Sequence, residues 1–320
     1  MPDGVEALIR LGVNIPPLET RRFRGIRFVG SGLSAEAVFP SGCGFGVRRT
    51  GLHRVMIEQA ERVGVRFLWQ TVVTGLHPDG VCLKDAQVTA RWIVGADGSA
   101  SRVRQWAALD AHRKDRRRFA FRRHYKIKPW TDFMELHWGH QSQLYITPVS
   151  EDEVCVAVIS RRANLRLDEA LDDFPQVAMR LNDAAHGSPE RGAVSVTRTL
   201  ARVCNNRVAL LGDASGGVDA ITGEGLCLAF HQAELLAQCI TAGSLASYQA
   251  SHRALARRPA MMARLMLLLE HRETLRRRVM QAFVAQPRLF SRLLATHVGA
   301  LSPLDFAVNG LALGWRLLTA

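Results

Sequence analysis

The sequence predicts an α/β fold: a strand-and-helix domain, interrupted by an antiparallel β-rich segment and closed by C-terminal helices. Two widely separated strand–turn–helix junctions, at 92–104 and 207–226, predict the first part. Strand-length runs rich in aromatic and β-branched residues between 116 and 199 predict the second. Apolar residues at three- and four-residue spacing after Gln238 predict the third.

Residues 4–11 read as a short amphipathic helix stopped by Gly12, and Asn14-Ile15-Pro16-Pro17 as a turn. Runs 24–29 and 35–39 read as strands either side of Gly30-Ser31-Gly32, and a helix follows over 51–63. Further strands are expected at 65–69, 71–76, 81–83 and 87–94. Trp92-Ile93-Val94-Gly95 closes the last of these, Asp97-Gly98 makes a tight turn, and a helix begins near Ser99. In the β-rich segment, 118–128, 133–138, 143–149 and 153–159 are of strand length. A helical stretch spans 167–181 and a final strand covers 194–199. Tyr125, Trp130, His137, Trp138 and Tyr145 are candidates to line a ligand site there; the plainer reading is sheet packing.

The junction at 207–226 carries the strongest signal. Residues 207–211 form an apolar run too short for a helix, and Gly212-Asp213 turns the chain at once. Gly216, Gly217, Gly223 and Gly225 leave backbone open to close approach, and a helix over 225–240 presents unpaired N–H groups and a positive dipole end to whatever lies in the loop. Asp213, at the strand end, is suited to accept hydrogen bonds from sugar-like hydroxyls. Beyond it, helices are expected at 245–257, 261–284 and 288–298, punctuated by Pro259, Pro287 and Pro303. The apolar tail 301–320 is interrupted by Asp305 and Arg316, so it is read as packing on the body of the protein rather than as a membrane span. The basic, amphipathic stretch 261–292 makes association with a membrane surface the sharper alternative.

These residues resemble the class A flavoprotein monooxygenase and geranylgeranyl reductase superfamily, the para-hydroxybenzoate hydroxylase fold. The resemblance implies FAD as cofactor. It places the ribityl chain on Asp213, after the turn at Gly212, and the pyrimidine edge of the isoalloxazine against the backbone of Gly223, Glu224, Gly225 and Leu226. Asp97, Gly98, Ser101, Val103 and Arg104 match the family's Asp-Gly-x-x-Ser-x-Val-Arg motif, which lies beside the FAD pyrophosphate and is tied to use of reduced nicotinamide. Arg49 and Leu52 match its Arg-x-x-Leu element, whose arginine serves the same phosphates. The implied organisation is a Rossmann-like FAD/NAD(P)-binding domain of residues 1–110 and 201–243, an inserted substrate domain at 111–200 and a helical region at 244–320. The implied activity is FAD-dependent oxidation or reduction of a lipophilic or aromatic small molecule, with NAD(P)H as co-substrate. Saturation of a prenyl double bond and a truncated, non-catalytic relic that has lost the cofactor are the alternatives, both of the same fold. No residue is singled out as a catalytic acid, base or nucleophile.

Two departures stand out. Many family members carry proline where Asp219-Ala220 stands. The opening Gly-x-Gly-x-x-Gly turn for the ADP half of FAD is also absent; Gly42-Cys43-Gly44-Phe45-Gly46 has the wrong spacing and leads into Arg48-Arg49. The expectation is therefore an N-terminally truncated flavin domain, beginning about fifty residues late by comparison with a complete dinucleotide-binding unit, that holds FAD poorly without an upstream extension.

Composition narrows the remaining classes. Across 320 residues, a 48% hydrophobic and 22% charged content is that of a globular protein. Six dispersed cysteines without a C-x-x-C pair, and no secretory signal, fit reduced thiols in a cytoplasmic setting. Eleven histidines form no H-E-x-x-H cluster, so no metal is expected. The net charge of +13 is concentrated at 113–128 and 252–292, without zinc-finger, RRM or helix-turn-helix spacing, so a solvated basic face is expected and nucleic acid is not. Ser215 fails the Gly-x-Ser-x-Gly elbow at its first position, which disfavours a hydrolase. A flavin halogenase is disfavoured by the lack of a Trp-x-Trp-x-Ile-Pro element.

Overall fold

The computed structural model of the chain describes residues 1–17 and 20–301, and of 112–115 the backbone alone. The chain forms two compact units, one of residues 1–56, 118–194 and 262–301, the other of 57–117 and 195–261.

The first unit is built on an eight-stranded sheet. Its order runs Ala185–His186, His112–Lys126, Glu153–Ser160, Ser142–Ser150, Phe133–Trp138, Gly25–Gly30, Leu33–Val38, with Arg191–Leu200 also paired to the long strand. All registered neighbours are antiparallel except Gly25–Gly30 and Phe133–Trp138, which run parallel from Gly25↔Phe133 to Val29↔His137. Side chains alternate across the sheet, so Leu144, Ile146, Val154, Val156 and Val158 share a face. They pack on Leu167, Leu171, Val177 and Leu181 from the helices Leu167–Leu171 and Pro175–Leu181, and on Phe174 at the N-cap of the second. The sequence suggested one helix across 167–181; Pro175 ends that reading, because its ring fits the first turn of a helix and not the interior. Elsewhere on the sheet, Phe28 lies edge-on to Trp138 and 4.6 Å by ring centroid from Phe290, which stacks on Phe283. The helices Glu273–Ala285 and Pro287–His297 thus bury Met280, Phe283, Phe290 and Leu294.

The second unit holds a parallel strand pair, Val208–Leu210 beside Ile93–Gly95, flanked by Cys204–Asn205, and a separate meander of Val73–His77, Gly80–Leu83 and Gln87–Thr89. Its core gathers Ile93, Leu109, Leu200, Val203, Val208, Leu210, Leu236 and Tyr248. The helix Gly225–Thr241 follows the strand Val208–Leu210 through the glycine loop, as the sequence suggests.

Two further expectations differ from the structure. Residues 65–69 are not a strand: no ladder partner is present among the described residues, and Val65, Leu68 and Trp69 are exposed with Trp69 stacked on Phe67. β-propensity without a partner does not make a strand. Pro259 does not break the chain into two helices, since it sits inside the continuous helix Ala246–His271 and the break comes at Arg272. Burial of Met262, Ala263, Met266 and Leu269 just beyond it offsets the hydrogen bond that proline forfeits. Residues 1–56 fall in the unit of the large sheet, where the strand Gly25–Gly30 finds its ladder at 133–137. The tail 302–320 with Pro303, Asp305 and Arg316 lies outside the described residues.

Candidate functional site

Adjacent parallel strands deliver two aspartates to the same end of the second unit. Leu210 pairs with Gly95, and the Leu211 N–H donates to the Gly95 carbonyl at 2.9 Å. Immediately beyond lie Ala96-Asp97-Gly98 on one strand and Gly212-Asp213 on the other. The C-terminal ends of parallel strands are where open α/β sheets hold ligands.

The two carboxylates have different work. Asp97 Oδ1 accepts from the Ser101 hydroxyl at 2.5 Å, and Oδ2 from the backbone N–H groups of Arg102 and Val103 at 2.8 and 3.1 Å. It therefore caps the helix Arg102–Trp106, with Ser101 accepting from the Arg104 N–H as the N-cap. Burial pushes the Asp97 pKa up, but the hydrogen bonds from Ser101, Val103 and Arg102 outweigh it and hold the carboxyl below its usual range. Gly98 follows at φ 80°. Asp213 is exposed, and its side chain has no hydrogen bond or ion pair among the described residues. Of the two, Asp213 is the carboxylate available to a ligand.

Arg104 is 2% exposed. Its Nε donates to Asp110 at 2.6 Å, Nη1 to the Ala214 carbonyl at 3.1 Å and Nη2 to the Ser99 carbonyl at 2.9 Å. Arg198 Nη1 donates to the same Ser99 carbonyl, and the Arg198 backbone bridges Gly217 in both directions at 3.0 Å. Arg104, expected from the sequence beside the cofactor, ties the Asp97 loop to the Asp213 turn through the Ser99 and Ala214 carbonyls.

The glycine loop is shaped from within. Gly212 sits at φ 58° and Gly223 at φ 66°, backbone that other residues adopt only with strain. Between them, Asp219 is buried and accepts from the Ile221 N–H at 3.2 Å, capping a single 3₁₀ turn, Ala220–Thr222. A Cβ added at Gly223 or Gly225 would meet nothing within 4 Å, so the surface there is open. Leu228 donates the helix's first intrahelical bond, to the Glu224 carbonyl, which leaves the N–H groups of Gly225 and Leu226 ahead of the ladder. The Glu224 side chain turns inward, 2% exposed and 3.9 Å from Arg258, so only its backbone belongs to the open rim. An unpartnered carboxylate, an open glycine surface and free N–H groups fit a hydroxylated, electron-rich ligand such as a flavin.

Arg49 stands in the first unit, exposed at the first position of the helix Arg49–Arg62, while Leu52 is buried on the same helix. Its neighbour Arg48 is committed: its Nε donates to the buried Glu153 at 2.6 Å and its Nη2 to the Gly187 carbonyl at 2.8 Å. The aromatic candidates of the large sheet are occupied by packing. Tyr125 is in the core, Trp138 contacts Phe28, Trp130 and His137 both bond to Glu135, and the Tyr145 hydroxyl donates to Gln143 at 2.8 Å.

Sequence reasoning missed the support behind the turn. The Gly212 N–H donates to Gln232 Oε1 at 2.9 Å, Ser215 Oγ donates to the Gly212 carbonyl at 2.8 Å, and His252 Nε2 lies 2.9 Å from both Ser215 Oγ and Gln232 Nε2. Ser215, Gln232 and His252 are all buried, and burial, then Arg253, lowers the His252 pKa to about 4. No local spacing signals this contact, since its members come from three elements.

A family model described as "FAD binding domain" matches residues 28–257. The chain belongs to this FAD-binding family. Membership makes FAD the cofactor and the protein a flavin-dependent oxidoreductase. Solved structures share the fold. A flavoprotein/dehydrogenase from Cytophaga hutchinsonii superposes with TM-score 0.75 at 15% identity, over 92% of this chain and 79% of its own. PqsL from Pseudomonas aeruginosa, described as "a probable FAD-dependent monooxygenase", gives 0.66 at 22% identity over 84% and 83%. A 2-methyl-3-hydroxypyridine-5-carboxylic acid oxygenase gives 0.61 at 20% over 90% and 80%.

Proposed function

We propose that this flavoprotein is a monooxygenase-type enzyme acting on a lipophilic or aromatic small molecule, with NAD(P)H as the reductant. The observation that carries the reading is the contrast between the two strand-end aspartates: Asp97 is spent on capping, whereas Asp213 is exposed and uncommitted beside an open glycine loop. Similarity to a pyridine-carboxylate oxygenase and to PqsL supports the choice of reaction class and of an aromatic substrate.

In this reading Asp213 accepts hydrogen bonds from the ribityl hydroxyls. The N–H groups of Gly225 and Leu226, at the positive end of the helix Gly225–Thr241, face the electron-rich edge of the ring system. Asp97, Gly98 and Arg104 hold the loops in place. Bound FAD supplies the redox chemistry; the chain's residues supply position and charge.

The test is titration of the purified chain with FAD, read by quenching of flavin fluorescence, alongside Asp213→Ala. Saturable binding by the parent is expected, weakened in the variant by ~1–3 kcal/mol, the usual worth of a hydrogen bond to a charged group. Equal affinity in the two proteins removes the assignment of Asp213. Consumption of NADH or NADPH by the FAD-loaded protein, stimulated by aromatic compounds, tests the reaction class.

A further inference from the structure

We infer that His252 is a positioning residue for the flavin site: acting through Gln232, it fixes the backbone of the Gly212–Ser215 turn so that Asp213 projects free of the protein. The inference deepens the reading of Asp213 above and rests on it.

The argument is one of hydrogen-bond direction. The Gly212 N–H can only donate, so the Gln232 amide must present Oε1 to it at 2.9 Å. That orientation turns Gln232 Nε2, which also can only donate, towards His252 Nε2 at 2.9 Å. His252 Nε2 must then accept, and the ring is neutral with its proton on Nδ1. The Ser215 hydroxyl has one proton and gives it to the Gly212 carbonyl at 2.8 Å, so its oxygen touches His252 Nε2 at 2.9 Å without a hydrogen bond between them. The Gly212 N–H is thereby held by a relay whose far anchor is one imidazole, while Ser215 holds the Gly212 carbonyl.

That anchor is rigid. Tyr248 precedes His252 by one helical turn on Ala246–His271, is fully buried, donates to the Leu210 carbonyl at 2.8 Å, and meets the imidazole edge-on at 5.6 Å. Gln232 rides on Gly225–Thr241, the helix whose first N–H groups are the other candidate flavin contact. A single ring therefore couples both halves of the proposed site without touching the ligand, and a rotated Gln232 amide would cost Gly212 its acceptor.

The experiment uses the full chain with His252→Leu, which removes the acceptor, and His252→Gln, which returns an acceptor oxygen close to the position of Nε2. Hydrogen–deuterium exchange without FAD reads the turn directly, with the strand Ile93–Gly95 as internal control. We expect exchange at 212–217 to quicken at least tenfold in His252→Leu while 93–95 is unchanged, and to return towards the parent in His252→Gln. FAD affinity is expected to fall about tenfold and to recover in the same order. If His252→Leu fails to fold, His252→Asn, whose shorter side chain withdraws the acceptor from Gln232 Nε2, carries the test with a smaller change in the same direction. Unchanged exchange at 212–217 in a folded variant overturns the inference, and so does a loosened turn with undiminished FAD affinity. If the parent binds no FAD, the flavin reading fails, and the exchange experiment still decides whether His252 sets the turn.

Discussion

Arg104 and Asp213 belong to matched motifs, yet their side chains predict opposite phenotypes. Arg104 is buried and donates to Asp110, Ala214 and Ser99, so truncation strips hydrogen bonds from two loops at once. Arg104→Met is expected to destabilise the fold by about 2–4 kcal/mol, with Arg104→Lys intermediate because a point charge cannot serve three directions. Asp213→Ala touches no protein partner and is expected to change stability by less than about 0.5 kcal/mol while weakening FAD binding. Chemical denaturation and FAD titration on the same three proteins check both; a destabilised Asp213→Ala or a harmless Arg104→Met would exchange their roles. Asp97 behaves as a third kind. Its depressed pKa contributes stability at neutral pH that is lost as pH falls through and below the usual carboxylate range. At this scale the sequence singles out the residues, and the structure adds which of their side chains are buried and which are exposed. The motif pattern is the same whether a side chain faces the ligand or the protein, and only burial separates the cases.

Elements were more legible than contacts. The helix at Gly225 and the strand Val208–Leu210 stand where apolar runs and turn residues put them, because those signals are local. The strand expected at 65–69 and the break expected at Pro259 depend on what the segment packs against, which periodicity does not report. The helix Ala246–His271 shows the consequence, since it carries the buried His252 to Gln232 and Ser215. A second buried histidine, His124, sits on the long strand His112–Lys126, with Ser188 Oγ at 3.0 Å from its Nδ1. Burial, then Arg122 and Arg48, lowers its pKa to about 4 against the opposing pull of Glu153. Both imidazoles are neutral in the fold and titrate near 6.5 when unfolded, so between those values the unfolded chain binds more protons. Their contribution to stability is complete above about pH 6.5 and is lost progressively as pH falls towards 4. Denaturation midpoints measured from pH 7.5 to 4.5 are expected to fall with acid, and the fall is expected to be shallower in His252→Gln. An equal slope in that variant would show that His252 does not titrate differently in the folded state.

For the whole molecule the excess of basic residues raises the question of a surface partner. Among the described residues no helix is long and apolar enough to cross a membrane. The amphipathic helices Glu273–Ala285 and Pro287–His297 spend their apolar faces inward: Met280, Phe283, Phe290 and Leu294 are buried. Arg277, Arg278, Arg288 and Arg292 are exposed on the same two helices. A face whose apolar half is already used can attract an anionic surface but has no hydrophobic side to insert into it. The net charge of +13 then acts through solvent, where attraction decays over about 8 Å at physiological ionic strength. We expect the protein to co-sediment with phosphatidylserine-containing vesicles at low salt and to be released as salt rises past that of the cell. Replacing the four exposed arginines by alanine should remove most of the binding, each contributing about 1 kcal/mol near the surface. Retention on vesicles at high salt would require an inserted apolar segment outside these two helices. Absence of binding at low salt would leave the arginines as a solvated face.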